Sequence, residues 1–250
     1  MKKYLLVFQQ TFAQYTTYRL QIFLKVVQSF LPPMIIVTAL SMTSATGTIS
    51  VNQLLPYYIL IALIYPLTIS TIDEEIGDLS ATGDVNNFLL KPFSLFKWLF
   101  AKNISEKAVI FITLLPVLLI VVFQLRLNLI KIPFILFSLC LSFTLSFTLS
   151  YLVGLFCFWV DEFWSIQNVK YVVIQFLGGV VLPYSFFPGN VSSVLKLSPF
   201  PYLASWPVRI IQNQATFADI PIVITWIIIL LILTSFIQKK AISKYSFTAG

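Results

Sequence analysis

Histidine is absent from the 250-residue chain, and charged residues are scarce, at 10% of the total. Without histidine, Ser-His-Asp triads, HExxH zinc sites and histidine proton relays are excluded. The sequence also has no GxxxxGK(S/T) phosphate loop, so the chain is not expected to hydrolyse nucleotides by that route. We expect no catalytic residue, no metal site and no cofactor bound by this chain.

The shortage of charge places the chain in a membrane. Soluble domains carry about 25% charged residues, whereas this chain is 58% hydrophobic, with a mean hydropathy of +0.92. So few charges cannot cover a soluble surface, and the rest must face lipid. Its two cysteines, Cys140 and Cys157, are separated by about 25 Å on one helix, too far apart to form a disulfide.

Apolar stretches of about 20 residues predict an all-α integral membrane protein with six transmembrane helices in a single domain, residues 1–250. The predicted spans are 22–42, 54–71, 104–125, 132–158, 169–187 and 218–238. Four prolines in the first two spans predict kinks or partial unwinding. These prolines are Pro32, Pro33, Pro56 and Pro66.

Two further segments lie beside the spans. Residues 1–21 place apolar side chains at helical spacing among lysines and glutamines, which predicts an N-terminal helix in the membrane interface. Residues 188–217 are apolar and rich in proline, which predicts short external re-entrant helices before the last span. With both termini in the cytoplasm, twelve of the sixteen Lys and Arg residues lie inside and four outside, as the positive-inside rule requires.

Four ionisable residues lie near the ends of the predicted spans: Lys25, Glu106, Lys107 and Lys170. We interpret them as anchors whose side chains reach the interface. Transport coupled to protons or sodium normally uses ionisable groups near the membrane midplane, so ion coupling is disfavoured.

The fourth predicted span carries a row of small residues at every fourth position. The row consists of Ser138, Ser142, Ser146, Ser150 and Gly154. Small residues on one helix face allow close helix contact in lipid, within the bundle or across a dimer. The alternative is a hydroxyl-lined wall of a substrate path.

The cytoplasmic loop after the second span is acidic from Asp73 to Asp78. Apolar residues at Ile72, Ile76 and Leu79 predict one short amphipathic helix. Its apolar side would suit a groove in a cytosolic partner. The alternative is a solvated loop, because charge runs are often merely exposed.

The stretch Gly83–Pro92, GDVNNFLLKP, resembles a signature that follows the second span in one branch of the ABC-2 type transporter permeases. Tyr18-Arg19 is similar to a Tyr-Arg pair before the first span of that branch, and Pro199–Ala204 resembles its proline-containing segment before the last span. One departure is that the loop upstream of the signature is commonly basic in relatives and is acidic here. This suggests a partner surface with complementary basic residues.

The resemblance implies a permease subunit of an ABC exporter in the bacterial plasma membrane. Such a subunit forms the translocation path, pairs with a second permease, either a copy or a paralogue, and couples to a separate dimeric ATPase that binds ATP and Mg²⁺. The implied contacts with the ATPase are an interfacial elbow at Tyr18 and Arg19 and a coupling loop. The loop residues are Ile72, Asp73, Glu74, Glu75, Ile76, Asp78, Leu79, Gly83, Asp84, Leu89, Leu90, Lys91 and Pro92.

Two other classes of function stay open. One is a non-transporting membrane scaffold or assembly factor that recruits a cytosolic partner through the acidic loop. The other is an intramembrane enzyme, which the lack of histidine and of suitably paired carboxylates in the spans disfavours. The basic residues form no patch, so nucleic acid is not an expected partner. Because the spans hold so little charge, an amphipathic or lipid-like cargo is favoured over a small ionic solute.

Overall fold

The computed structural model describes residues 2–43, 51–85, 94–124, 129–160 and 163–248. All regular secondary structure in these ranges is helical, which confirms the all-α prediction. Ten α-helices lie wholly within these ranges: α1 (Lys2–Thr17), α2 (Arg19–Thr43), α3 (Val51–Thr68), α4 (Ile72–Ala81), α5 (Leu95–Gln124), α6 (Ile132–Gly154), α7 (Phe163–Leu177), α8 (Gly189–Leu197), α9 (Ser205–Ile211) and α10 (Ile220–Thr248).

Four stretches of the described residues are helical, long and apolar enough to cross a membrane. They are Leu20–Ala39, Leu95–Gln124, Ile132–Phe158 and Ile220–Ala241, which correspond to the first, third, fourth and last predicted spans. The bent pair α3 and α4, with an angle of 41° at the break, would make a fifth. The chain is therefore a multi-pass membrane protein. The count of six spans and the cytoplasmic termini stay predictions.

The helix in the predicted fifth span, 169–187, is shorter than expected. It begins at Phe163 and ends at Leu177, and its 15 residues rise about 22 Å, less than the roughly 30 Å of a hydrocarbon core. The chain then turns at Gly178 and Gly179, and Gly179 has a φ of +83°. This left-handed conformation ends helices and favours glycine.

The prolines of the first two spans do not unwind their helices. α2 continues through Pro32 and Pro33, and α3 continues through Pro56 and Pro66. Pro66 has no N–H, so the carbonyl of Ala62 loses its usual helical partner. Ser29 Oγ of α2 donates to that carbonyl oxygen at 2.9 Å, and a neighbouring helix thus replaces the missing donor.

α3 lies at the centre of the bundle. The largest apolar cluster joins it to α6, α9 and α10, and its members Ile61, Leu145, Trp206 and Val223 are completely buried. The segment before the last span consists of the short helices α8 and α9, as predicted, and α9 packs against α3 and α6. Its placement in the outer leaflet stays a prediction.

The N-terminal helix α1 packs along the beginning of α5. Ser105 Oγ of α5 donates to the carbonyl oxygen of Phe8 at 3.1 Å. α1 ends at Thr17, and the non-helical residue Tyr18 separates it from α2. The helical prediction for this segment is therefore confirmed, whereas its position in the membrane interface stays a prediction.

Candidate functional site

α4 is a ten-residue helix that begins directly after the break at the end of α3. Its first turn contains Asp73, Glu74 and Glu75. Negative charge is favourable there because the first N–H groups of a helix are unpaired and the helix dipole is positive at that end. Ile72 and Ile76, four positions apart, share one face. The predicted amphipathic helix is therefore present.

The apolar face of α4 packs on the chain's own bundle. Ile72 is 3% exposed and Ile76 is completely buried. Both belong to an apolar cluster with Phe147, Tyr151 and Leu155, which follow α6 down to its end. The prediction that this face docks in a partner's groove is therefore wrong, because α6 already covers it.

The small residues of α6 contact both α4 and Ser70, which precedes it. Ser146 Oγ accepts a hydrogen bond from the backbone N–H of Ser70 at 2.9 Å, and Ser150 Oγ donates to the carbonyl oxygen of the same residue at 2.7 Å. A Cβ at Gly154 would lie only 2.7 Å from Cδ1 of Ile76 and 3.1 Å from Cα of Asp73. We call Ser146, Ser150 and Gly154 the α4 seat.

The rest of the row is equally enclosed. Ser138 and Ser142 are completely buried, and Ser138 Oγ donates to the carbonyl oxygen of Ile135 at 2.7 Å. Since all four serines are buried and the seat contacts backbone, the row favours close packing over a hydroxyl-lined path.

Two ion pairs hold α4 from its sides. Lys170 Nζ of α7 lies 2.5 Å from Asp73 Oδ1 and 3.3 Å from Ser150 Oγ, so one ammonium joins α4, α6 and α7. The side chains of Lys170 and Asp73 are 9% and 0% exposed. On the other side, Lys102 of α5 pairs with Glu75. A shift of α4 would therefore act on α5, α6 and α7 together.

The remaining ionisable residues near the span ends also have partners. Lys25 Nζ of α2 lies 2.5 Å from Glu106 Oε1 of α5. Lys107 Nζ donates to the carbonyl oxygens of Pro66 and Ile69, at 3.0 and 2.6 Å, where α3 ends. With Lys170 paired to Asp73, all four residues have polar partners on another helix or at its end, as buried charge requires. Their role as anchors at the membrane interface stays a prediction.

The outer face of α4 is the part that a partner can reach. Glu74 and Asp78 are exposed, as is Asp84 just beyond the helix, and Leu79 is half-buried. Ile72, Asp73 and Ile76 are buried and would have to move to touch another protein. They hold the helix in place, and the contact of the whole set with an ATPase stays a prediction.

Some of the other predicted contact residues lie within the described ranges and some lie outside them. Gly83 has a φ of +75° in the turn after α4, and Tyr18 is exposed at the junction of α1 and α2. Four predicted residues lie outside the described ranges: Leu89, Leu90, Lys91 and Pro92. The side chain of Arg19 also lies outside the described part of the chain.

The sequence patterns did not predict Ser70 or Lys102 as part of the site. Ser70 belongs to no motif, and its role depends on contacts with residues 76 and 80 positions later. Lys102 offered one signal, because an ammonium close to an apolar span needs an acidic neighbour and Glu75 is within reach of it.

Comparison with known proteins gives the family. No curated protein and no solved structure matches the chain. A sequence profile described as ABC-2 family transporter protein matches residues 26–249. The matched range includes α4, the α4 seat and the four long apolar helices, of which only α2 begins before residue 26. This chain therefore belongs to the ABC-2 family of transporter proteins, as a membrane-embedded permease.

Proposed function

We propose that the chain is the permease subunit of an ATP-binding cassette exporter in a bacterial plasma membrane, and that a separate ATPase drives it through α4. The position of α4 supports this proposal. One side of the helix is fixed to the bundle by the seat and two ion pairs, while Glu74 and Asp78 are exposed on the other. An element held in this way can pass a force from a partner to several helices.

The contacts of α4 define how the force would be transmitted. Movement of α4 reaches α6 through Ile76 and the seat, α7 through the Asp73–Lys170 pair and α5 through the Glu75–Lys102 pair. Packed contacts of this kind shift as units because protein interiors are close-packed. ATP binding then changes the bundle only insofar as the ATPase contacts α4 differently in its two states.

The proposed partner surface is basic. Glu74, Asp78 and Asp84 are exposed at or beside α4, and residues 83–92 extend the contact in our proposal. Complementary charge would steer the two proteins together and fix their register. A second permease completes the assembly, and the cytoplasmic side is the side that carries α4.

Co-purification tests this function directly. The tagged full-length chain is isolated in a mild detergent from its native membrane, its partners are identified, and ATP turnover of the eluate is measured. We expect a nucleotide-binding subunit in a stoichiometric amount and measurable ATP hydrolysis. A chain that is recovered alone, or with a partner that lacks nucleotide-binding motifs, would overturn the proposal and favour the non-transporting scaffold.

A further inference from the structure

A cavity of about 270 Å³ lies at the end of the bundle that carries α4. Five helices, α2, α3, α4, α5 and α7, contribute to its wall. Five ionisable side chains line it: Lys25, Glu74, Glu106, Lys107 and Lys170.

The charges of the wall balance each other. Three ammonium groups face two carboxylates, and Asp73, which pairs with Lys170, supplies a third negative charge just behind the wall. Among the described residues Lys25 pairs with Glu106 and Lys170 with Asp73, whereas Lys107 donates only to carbonyl oxygens and Glu74 has no ion pair. A zwitterionic ligand offers an anion to Lys107 and a cation to Glu74, so it matches both groups.

Two side chains in the wall each have a donor or an acceptor that bonds to none of the described residues. The Lys107 ammonium has three protons and donates to two carbonyl oxygens, those of Pro66 and Ile69. Gln167 is 8% exposed, and its Oε1 has no partner among the described residues. A ligand with both an anionic acceptor and N–H donors would satisfy such groups.

The cavity also reaches the outer surface of the bundle. Tyr171 lines the cavity and is 49% exposed, and its neighbour Val172 is 52% exposed on the same helix. The rest of the lining includes Ile69, Ile110 and Ile174. A polar group held in the cavity could therefore continue into apolar chains that lie along α7, in the lipid.

We propose that this cavity binds a zwitterionic group, a phosphate next to a protonated amine, presented by a membrane lipid. The phosphate lies towards Lys25 and Lys107, and the amine lies towards Glu74 and Gln167. Lys25 of α2 also pairs with Glu106 of α5, so the phosphate site lies beside this ion pair. Glu74 lines the cavity and is also exposed on α4, whereas Lys25, Lys107 and Gln167 belong to other helices. Binding of the lipid does not depend on an ATPase.

Native mass spectrometry of the detergent-purified full-length chain tests the site. The probes are phosphatidylethanolamine, phosphatidylglycerol with the same acyl chains, and free phosphoethanolamine. We expect phosphatidylethanolamine to bind about tenfold more tightly than phosphatidylglycerol, because only the former carries an amine for the carboxylates. Equal binding of the two lipids would overturn recognition of a zwitterion. Equal binding of phosphoethanolamine and its lipid would overturn the lipid as the source.

Substitutions locate the binding. The double variant Lys25→Gln/Glu106→Gln keeps a hydrogen-bonded pair but removes both charges, and should weaken phosphatidylethanolamine binding about tenfold. The matched control is Lys102→Gln/Glu75→Gln, which neutralises an ion pair outside the cavity lining and should leave lipid binding unchanged. Equal loss in both double variants would overturn the assignment to this cavity.

A second variant covers the case in which the first one folds poorly. Gln167→Leu removes a buried amide oxygen that has no partner in the described residues, so the melting temperature without lipid should be unchanged or higher. Its binding of phosphatidylethanolamine should nevertheless be weaker. Undiminished binding in the well-folded Gln167→Leu variant would overturn the proposal.

Discussion

The ammonium of Lys170 lies 2.5 Å from the carboxylate of Asp73, and both side chains are almost completely buried. The two residues are 97 positions apart, on α7 and α4. Because the same ammonium also contacts Ser150 of α6, this small group of atoms fixes the position of α4 relative to two other helices. Variants of this pair therefore distinguish a loss of folding stability from a loss of coupling to the ATPase.

Loss of Lys170 should destabilise the bundle strongly. In Lys170→Met the carboxylate of Asp73 stays buried without its counter-charge, and breaking a buried pair in this way costs about 3–5 kcal/mol. The double variant Asp73→Leu/Lys170→Met should recover most of that stability, because it removes both charges. Denaturant unfolding in detergent micelles measures the difference, and ATP turnover with the partner shows whether the double variant still couples.

The pair of Lys102 with Glu75 provides the comparison. Its side chains are about one quarter exposed, and pairs with access to water contribute about 1 kcal/mol or less. Lys102→Met should therefore unfold at nearly the same denaturant concentration as the parent chain. If Lys102→Met and Lys170→Met lose equal stability, burial is not what makes the Asp73–Lys170 pair important.

A larger residue at Gly154 should displace α4. The side chain in Gly154→Val would start 2.7 Å from Cδ1 of Ile76 and 3.1 Å from the backbone of Asp73, and only the former can give way easily. Such overpacking costs about 1–3 kcal/mol and shifts the backbone. We expect insertion to persist while the ATPase loses its response to the permease, which an assay of ATP turnover in proteoliposomes measures.

Two further variants make that test specific. Gly189→Val is the control, since nothing lies within 4 Å of a Cβ there. Ile76→Val removes the atom that the new side chain meets first, so Gly154→Val/Ile76→Val should regain part of the coupling. A control that uncouples as strongly as Gly154→Val would show that the α4 seat has no special role.

Charge reversal on the outer face of α4 should weaken the complex without affecting the fold. Asp78 is exposed, lies beyond the first turn of α4 and does not line the cavity, so Asp78→Lys should leave the unfolding transition unchanged and reduce ATPase affinity by about tenfold. Affinity is measured by binding of the purified ATPase to immobilised permease at two salt concentrations. Asn190→Lys, which adds positive charge at the exposed start of α8, is the control, and equal weakening by it would argue against a contact at α4.

Hydropathy predicted the long helices well because a helix in lipid must be apolar over the thickness of the membrane. It failed at α7, where residues 178–187 are nearly as apolar as the helix before them, and the helix end depends on the left-handed backbone of Gly179. The four-residue spacing of Ile72 and Ile76 predicted a helix and identified its apolar face. It could not identify α6 as the neighbour, because hydrogen bonds such as that between Ser150 and Ser70 join residues 80 positions apart.

The turn after α7 contains a glycine in the left-handed region. Gly179 has a φ of +83°, and a Cβ there would lie 2.7 Å from Cβ of Ser205 and 2.9 Å from the hydroxyl oxygen of Tyr57. That hydroxyl donates to the carbonyl oxygen of Gly179 at 2.5 Å, so the turn is fixed to α3 as well as to α9. Gly179→Ala should cost about 1–2 kcal/mol from the left-handed backbone alone, and the contacts add to this loss.

Thermal unfolding of Gly179→Ala and Gly189→Ala separates local strain from a general effect of replacing glycine. Gly189 has open space around its Cβ position, so its alanine variant should melt like the parent chain. Tyr57→Phe should lower the melting temperature as well, because it removes the donor to the carbonyl of Gly179. If Gly179→Ala melts like Gly189→Ala, neither the left-handed turn nor its contact with Tyr57 determines where α7 ends.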